Sequence, residues 1–281
     1  MVFHESPHVY VGHVHLKVQD LQRSLAFYQD ILGLTVLEQS DHTALLSADG
    51  KTELISLTQP SPIFPKQNRT SGLYHFALLL PERKDLAAVI RHLISTGYPL
   101  QGASDHLVSE ALYLADPDGN GIEIYRDRTS EGWEWENGEV VMATNAMDVE
   151  GVLSEWDGSH WEGLPAGTIM GHIHLHVSEF AKTKEFYIKG LGFQTVCTYG
   201  GQALFISTGG YHHHIGLNTW NGIGAPAPSE AHAGMESFTL VYPNEEERQA
   251  AVNRLKTLGI DIAKANGQYI VKDPSGTKMI F

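Results

Sequence analysis

Sixteen of the 281 residues are histidines, and the placement of a few of them, with nearby carboxylates, is where this chain could do chemistry. His75 stands in LYHFALLLP, Glu123 in LADPDGNGIEIY, and His172, His174 and His176 alternate within GHIHLHV. A triplet, His212-His213-His214, precedes the apolar Ile215-Gly216-Leu217, and His13 opens an earlier GHVHLKV run. Neutral imidazoles and a carboxylate are donors for a divalent transition metal, and two imidazoles plus one carboxylate leave one face open to substrate. An imidazole that is not a ligand is the side chain best suited to move a proton near neutral pH. If GHIHLHV is a strand, His172, His174 and His176 share a face, and only one of them need bind metal. A lone histidine is more often an ordinary core or surface residue, and His8, His42, His92, His160 and His232 are read that way. The single cysteine, Cys197, excludes an internal disulfide and a cysteine-based zinc site.

The elements that must position these residues come in a repeat. GHVHLKVQDLQRSLAFYQDILGL from Gly12 aligns without a gap to GHIHLHVSEFAKTKEFYIKGLGF from Gly171, with nine of 23 positions identical. A weaker pair, GLYHFALLLP from Gly72 and GMESFTLVYP from Gly234, is followed in each copy by a helical stretch and an Asp-Pro turn, Asp116-Pro117 and Asp273-Pro274. Four modules in the order 1-2-1-2 result. In the first, Val14–Val18 alternates as a strand does. Leu21, Leu25, Tyr28 and Leu32 then share one helical face that Gly33 ends. Further strands over Ala44–Ser47 and Leu54–Leu57 flank a turn at Ala48-Asp49-Gly50. Asn244 with Glu247 three residues on opens the last helix as a capping box. The expected fold is α+β, with βαβββ four times: residues 1–128 (modules 1 and 2), a polar, tryptophan-rich linker over 129–165, and residues 166–281 (modules 3 and 4).

Composition narrows the function classes. A hydrophobic fraction of 42% lets each half bury a core without metal or disulfide staples. The net charge of −14 argues against nucleic acid and anionic membranes as partners, since both need clustered Lys and Arg. Neither a secretory leader nor an apolar run of about 20 residues is present, so a cytoplasmic protein with no membrane association is expected. A homo-oligomer is left open.

Gly171-His172 opening a module, SLAFYQDILGL before Gly33, LYHFALLLP around His75 and LADPDGNGIEIY around Glu123 together resemble the vicinal-oxygen-chelate superfamily of glyoxalases, extradiol dioxygenases and bleomycin-resistance proteins. The resemblance covers nearly the whole chain and is nearest to two-domain, catechol-2,3-dioxygenase-like members. It implies that two βαβββ modules pair into a barrel around a metal, and that only one of two barrels is catalytic. In such dioxygenases one module gives a histidine from its first strand and a non-ligand histidine from its last. The partner gives a histidine from its first strand and a glutamate from its last.

By that resemblance module 2 supplies His75 and Glu123, whereas module 4 has Ser237 in place of His75 and Met279 in place of Glu123. The remaining ligand is His172 or, alternatively, His13. His172 is favoured because only its module also carries the triplet, with His213 as acid–base residue. That choice pairs module 2 with module 3 and leaves modules 1 and 4 an empty barrel. Tyr113 matches a substrate-binding tyrosine, and Asp105 with His106 a supporting pair. The implied activity is an oxidoreductase: extradiol cleavage of a catechol- or hydroquinone-type ring by O2 at one Fe(II), with Mn(II) also suited to the ligands. The alternatives are a glyoxalase-like isomerase or thiol transferase, which needs a fourth protein ligand, and a non-catalytic binder of aromatic compounds.

Overall fold

The structure, a computed structural model, describes residues 2–281. Each module is a strand, a helix and three more strands. The first runs Tyr10–Lys17, a helix from Leu21, then Thr35–Gln39, Thr43–Ser47 and Ile55–Thr58. The second runs Gly72–Leu79, the helix Arg83–Thr96, then Gly102–Asp105, Ser109–Ala115 and Gly121–Asp127. The third runs Ile169–His176, a helix from Phe180, then Gln194–Tyr199, Ala203–Ser207 and Ile215–Asn218. The fourth runs Gly234–Val241, the helix Glu245–Thr257, then Ile262–Ala265, Gln268–Lys272 and Lys278–Ile280.

Local signals act largely where the sequence puts them, although of the capping box expected at Asn244 and Glu247 only the Asn244 half forms among the described residues. Asn244 Oδ1 accepts from the Glu247 amide and caps its helix, and Gly33 and Gly192 adopt the positive φ that ends the first and third helices. Leu21, Leu25, Tyr28 and Leu32 are all buried. The helix is less regular than their spacing suggests: after Ala26 it widens into a π turn over Phe27–Ile31, and the third module does the same over Glu185–Leu191. Both wide turns hold the repeated Phe-Tyr pair. Tyr28 reaches Asp116 Oδ2 and Tyr187 reaches Asp273 Oδ2, each at 3.0 Å, so each tyrosine ties its helix to the Asp-Pro turn of the following module.

The strands form two large curled sheets. In one, the fourth module joins the first through Gly234–Val241 and Tyr10–Lys17, antiparallel at the centre. In the other, the second module joins the third through Gly72–Leu79 and Ile169–His176, again antiparallel. In all four modules the last strand lies parallel beside the first. One continuous core, with Tyr28, Phe76, Phe186, Tyr187 and Phe238 fully buried, fills the space between sheets and helices.

The segment 129–165 is ordered into short elements. Asn145–Ala146 adds an edge strand beside Gly102–Asp105. Three of its four tryptophans are anchors: Trp133 donates to Arg128 O, Trp156 lies under the Arg91 guanidinium at 3.6 Å, and Trp161 stacks on His92 at 4.2 Å. Among the described residues no helix is long and apolar enough to cross a membrane.

Candidate metal centre

Strand register assembles the site in two neighbouring rows across the second sheet. In one row Tyr113 pairs with Glu123, Glu123 with Ala77, and Ala77 with His172. In the next, Gly121 pairs with His75, His75 with His174, and His174 with Gly216. Paired residues point to one face, so a carboxylate and three imidazoles emerge side by side, with only the Ala77 methyl between Glu123 and His172. Glycine is required beside His174, because a Cβ at Gly216 would fall 2.8 Å from that ring.

The ligand-capable atoms of His75, Glu123 and His172 lie within 4.8 Å of one another. His172 Nε2 is 3.2 Å from Glu123 Oε2. His75 Nε2 lies 3.0 Å from the same oxygen without hydrogen-bond alignment, and is buried with no other partner. Burial alone would raise the Glu123 carboxyl, but the His172 and His75 rings outweigh it and hold the group well below its ordinary range. Burial pulls His172 down to about 4 against the pull of Glu123. At neutral pH the set is therefore an ionised carboxylate beside a neutral His172. Such a carboxylate is costly to bury without a cation, and an orphaned imidazole nitrogen is a free donor. These residues fit a divalent metal.

A cavity of about 970 Å³ opens over His75 and Glu123, lined also by Tyr74, His174 and His213, with His172 buried beside them. The His213 ring centroid is 4.1 Å from that of His172. Burial, followed by the neighbouring His172, His212 and His174, pushes His213 well below its usual value, so it is neutral at pH 7. His214 turns away, its Nε2 2.9 Å from Phe3 O. Tyr113 also lines the cavity, and burial, then Glu123, keeps its hydroxyl protonated far above its normal range. His106 Nδ1 is 2.7 Å from Ala143 O and so carries a proton, leaving Nε2 to accept from the Tyr113 hydroxyl at 2.6 Å. Asp105 accepts from Arg128 at 2.7 Å.

His13 is in the other sheet, with Nδ1 3.0 Å from Thr239 Oγ1 and Nε2 3.6 Å from Glu53. Register corrects one assignment there. Thr239, the counterpart of Ala77, pairs with Ile280, so Ile280 and not Met279 occupies the place of Glu123, while Met279 pairs with Phe238 and is buried. Neither carries a carboxylate.

Sequence reasoning passed over Asp127, Tyr125, Tyr211 and the amino-terminal Phe3 and His4, which pack behind His172 and the triplet. Tyr125 could have been sought from Gly171, where any Cβ would strike its hydroxyl at 2.0 Å. His4, whose Nε2 is 2.7 Å from Gly171 O, had no local signal.

With this geometry in hand, comparison with known proteins is direct. The profile of the Glyoxalase/Bleomycin resistance protein/Dioxygenase superfamily matches residues 10–124 and 169–281. The chain is 46% identical over 282 residues to a catechol-2,3-dioxygenase of Bacillus subtilis (strain 168), covering 99% of this chain and 98% of that one. It is 23% identical over 257 residues to a 2,2',3-trihydroxybiphenyl dioxygenase of Sphingomonas paucimobilis, covering 89% and 76%. Among solved structures, glyoxalase I from Zea mays superposes with a TM-score of 0.58 at 16% identity over 97% of this chain and 91% of that one, a likeness of fold alone. The repeated modules, the curled sheets and these matches make the chain a member of the glyoxalase/bleomycin resistance/dioxygenase superfamily.

Proposed function

We propose that this chain is an extradiol dioxygenase that opens catechol- or hydroquinone-type rings with O2 at a single Fe(II) held by His75, Glu123 and His172. The observation that carries the reading is the convergence of these three donors, two of which line a cavity that also holds His213 and Tyr113. The 46% identity to a catechol-2,3-dioxygenase supports the reaction class. When bound, Fe(II) supplies the redox chemistry by which O2 reacts with a chelated diol; Mn(II) suits the same ligands.

The chain's own residues orient the ring and handle its protons. His213, a neutral base, takes a proton from a diol hydroxyl and returns it later to the product. The Tyr113 hydroxyl, its proton committed to His106, offers its lone pairs to the second substrate hydroxyl. Tyr74 and Trp220, in edge-to-face contact 5.3 Å apart, give the cavity an aromatic wall for a flat ring. Three convergent protein donors, rather than four, favour a site that leaves a face open to a chelating substrate.

The test is anaerobic loading with Fe(II), then catechol or hydroquinone and air, following oxygen uptake and the absorbance of a ring-opened product. Uptake of O2 in step with product is expected. A chain that holds one tightly bound iron yet consumes no O2 with any diol overturns the proposal.

A further inference from the structure

His212 faces away from the cavity and is fully buried. Its Nε2 lies 2.7 Å from Asp127 Oδ1, and its Nδ1 lies 2.8 Å from His213 Nδ1. The ring has little freedom: Tyr211 packs on it at 4.1 Å and Trp133 meets it edge-on at 5.2 Å. Tyr211 is itself held by the Tyr125 hydroxyl at 2.7 Å. Asp127 ends the strand that carries Glu123 four residues earlier, so one strand bears on two separate parts of the site.

An ionised carboxylate only accepts, so His212 must donate from Nε2. Where His212 carries one proton, on Nε2, its Nδ1 is bare and the proton between the two facing Nδ1 atoms belongs to His213. His213 is left with a bare Nε2, the nitrogen that has no hydrogen bond among the described residues, on a ring that lines the cavity. We propose that Asp127 is a positioning residue that acts through His212 to fix the tautomer of His213, presenting the Nε2 lone pair to the bound diol. The logic is that of an aspartate orienting a catalytic imidazole, extended by one ring. The inference deepens the proposed function and rests on His213 being its base.

Tautomers are read directly by two-bond nitrogen–proton correlation on the full chain labelled with 15N-histidine, both metal-free and loaded with diamagnetic Zn(II). His213→Gln identifies the His213 signals. The expected spectrum has His213 protonated on Nδ1 and bare on Nε2. Asp127→Ala should move the population toward the Nε2–H form that an isolated histidine side chain prefers, and Asp127→Glu should restore the first pattern at least in part. Thermal unfolding of both variants separates this effect from misfolding. In the Fe(II)-loaded enzyme Asp127→Ala should lower kcat by roughly 10–100-fold, the usual effect of losing an outer-sphere partner, with KM little changed. A wild-type His213 protonated on Nε2, or a tautomer indifferent to Asp127, overturns the inference whatever the turnover. A tautomer that follows Asp127 while kcat does not overturns the positioning role. If His213→Gln retained full turnover, the acid–base reading would fail instead, with the hydrogen-bonded chain still standing.

Discussion

His172→Ala is expected to strip the metal from the loaded chain, whereas His13→Ala is expected to leave it bound, as metal analysis after desalting will report. The basis is position: His172 Nε2 is 3.2 Å from Glu123, while His13 is engaged by Thr239 and Glu53 in the other sheet. Metal retained by His172→Ala and lost by His13→Ala would refute the ligand set. His213→Gln should behave differently from either, keeping the metal while kcat falls by roughly 10²–10⁴-fold, the range for loss of a general base. Iron content measured beside single-turnover rates separates the two kinds of residue. Within the triplet, three adjacent identical side chains meet three different surroundings: a carboxylate, a cavity and a backbone carbonyl.

At the scale of elements, the two Tyr–Asp ties are the repeated device. Tyr28 belongs to a helix of the first sheet's module, and Asp116 to the turn that leads into the strand bearing Glu123. Tyr28→Phe leaves a buried carboxylate short of one donor, and a loss of roughly 1–3 kcal/mol is expected in urea unfolding. No change in the unfolding midpoint would show the tie to be incidental. The mirror-image tie makes a pH prediction. Burial, opposed by hydrogen bonds from Thr277, Tyr187 and Ser275, raises the Asp273 carboxyl to about 6. A folded value above the unfolded one means that the folded state holds this proton more tightly. Its contribution is fully present below about pH 4 and is lost as pH rises through about 6, a total of about 3 kcal/mol. Asp273→Asn should flatten the fall in urea midpoint between those pH values relative to wild type; equal slopes in the two proteins would contradict the assignment.

At the scale of the molecule, each half of the chain gives strands to both sheets, and each sheet closes only by pairing strands from different halves. Residues 1–165 alone would expose the long central edges of Tyr10–Lys17 and Gly72–Leu79. That fragment is expected to lack cooperative unfolding by circular dichroism and to bind no metal. Co-expression with residues 166–281 should restore both properties. A cooperatively folded, metal-binding fragment 1–165 would show that the crossed sheets are not needed to build the site.

The amino-acid sequence by itself determined the four modules, because periodicity, caps and Asp-Pro turns act over a few residues and survive in both copies. It also singled out His75 and Glu123 against their uncharged counterparts Ser237 and Ile280, although the alignment slipped by one residue at Met279 where a short strand has no internal landmark. The linker tryptophans were visible only as composition, since their meaning lies in partners such as Arg91 and His92 more than 60 positions away. Which lead strand lies against Gly72–Leu79 was decided by tertiary structure. Backbone pairing is chemically alike for any strand, and the choice between His13 and His172 rests on which complete face of side chains packs. The same holds for Asp127, unremarkable in its own segment, which meets His212, 85 residues on, only because the sheet brings the end of Gly121–Asp127 to the loop that precedes Ile215–Asn218, two strands across.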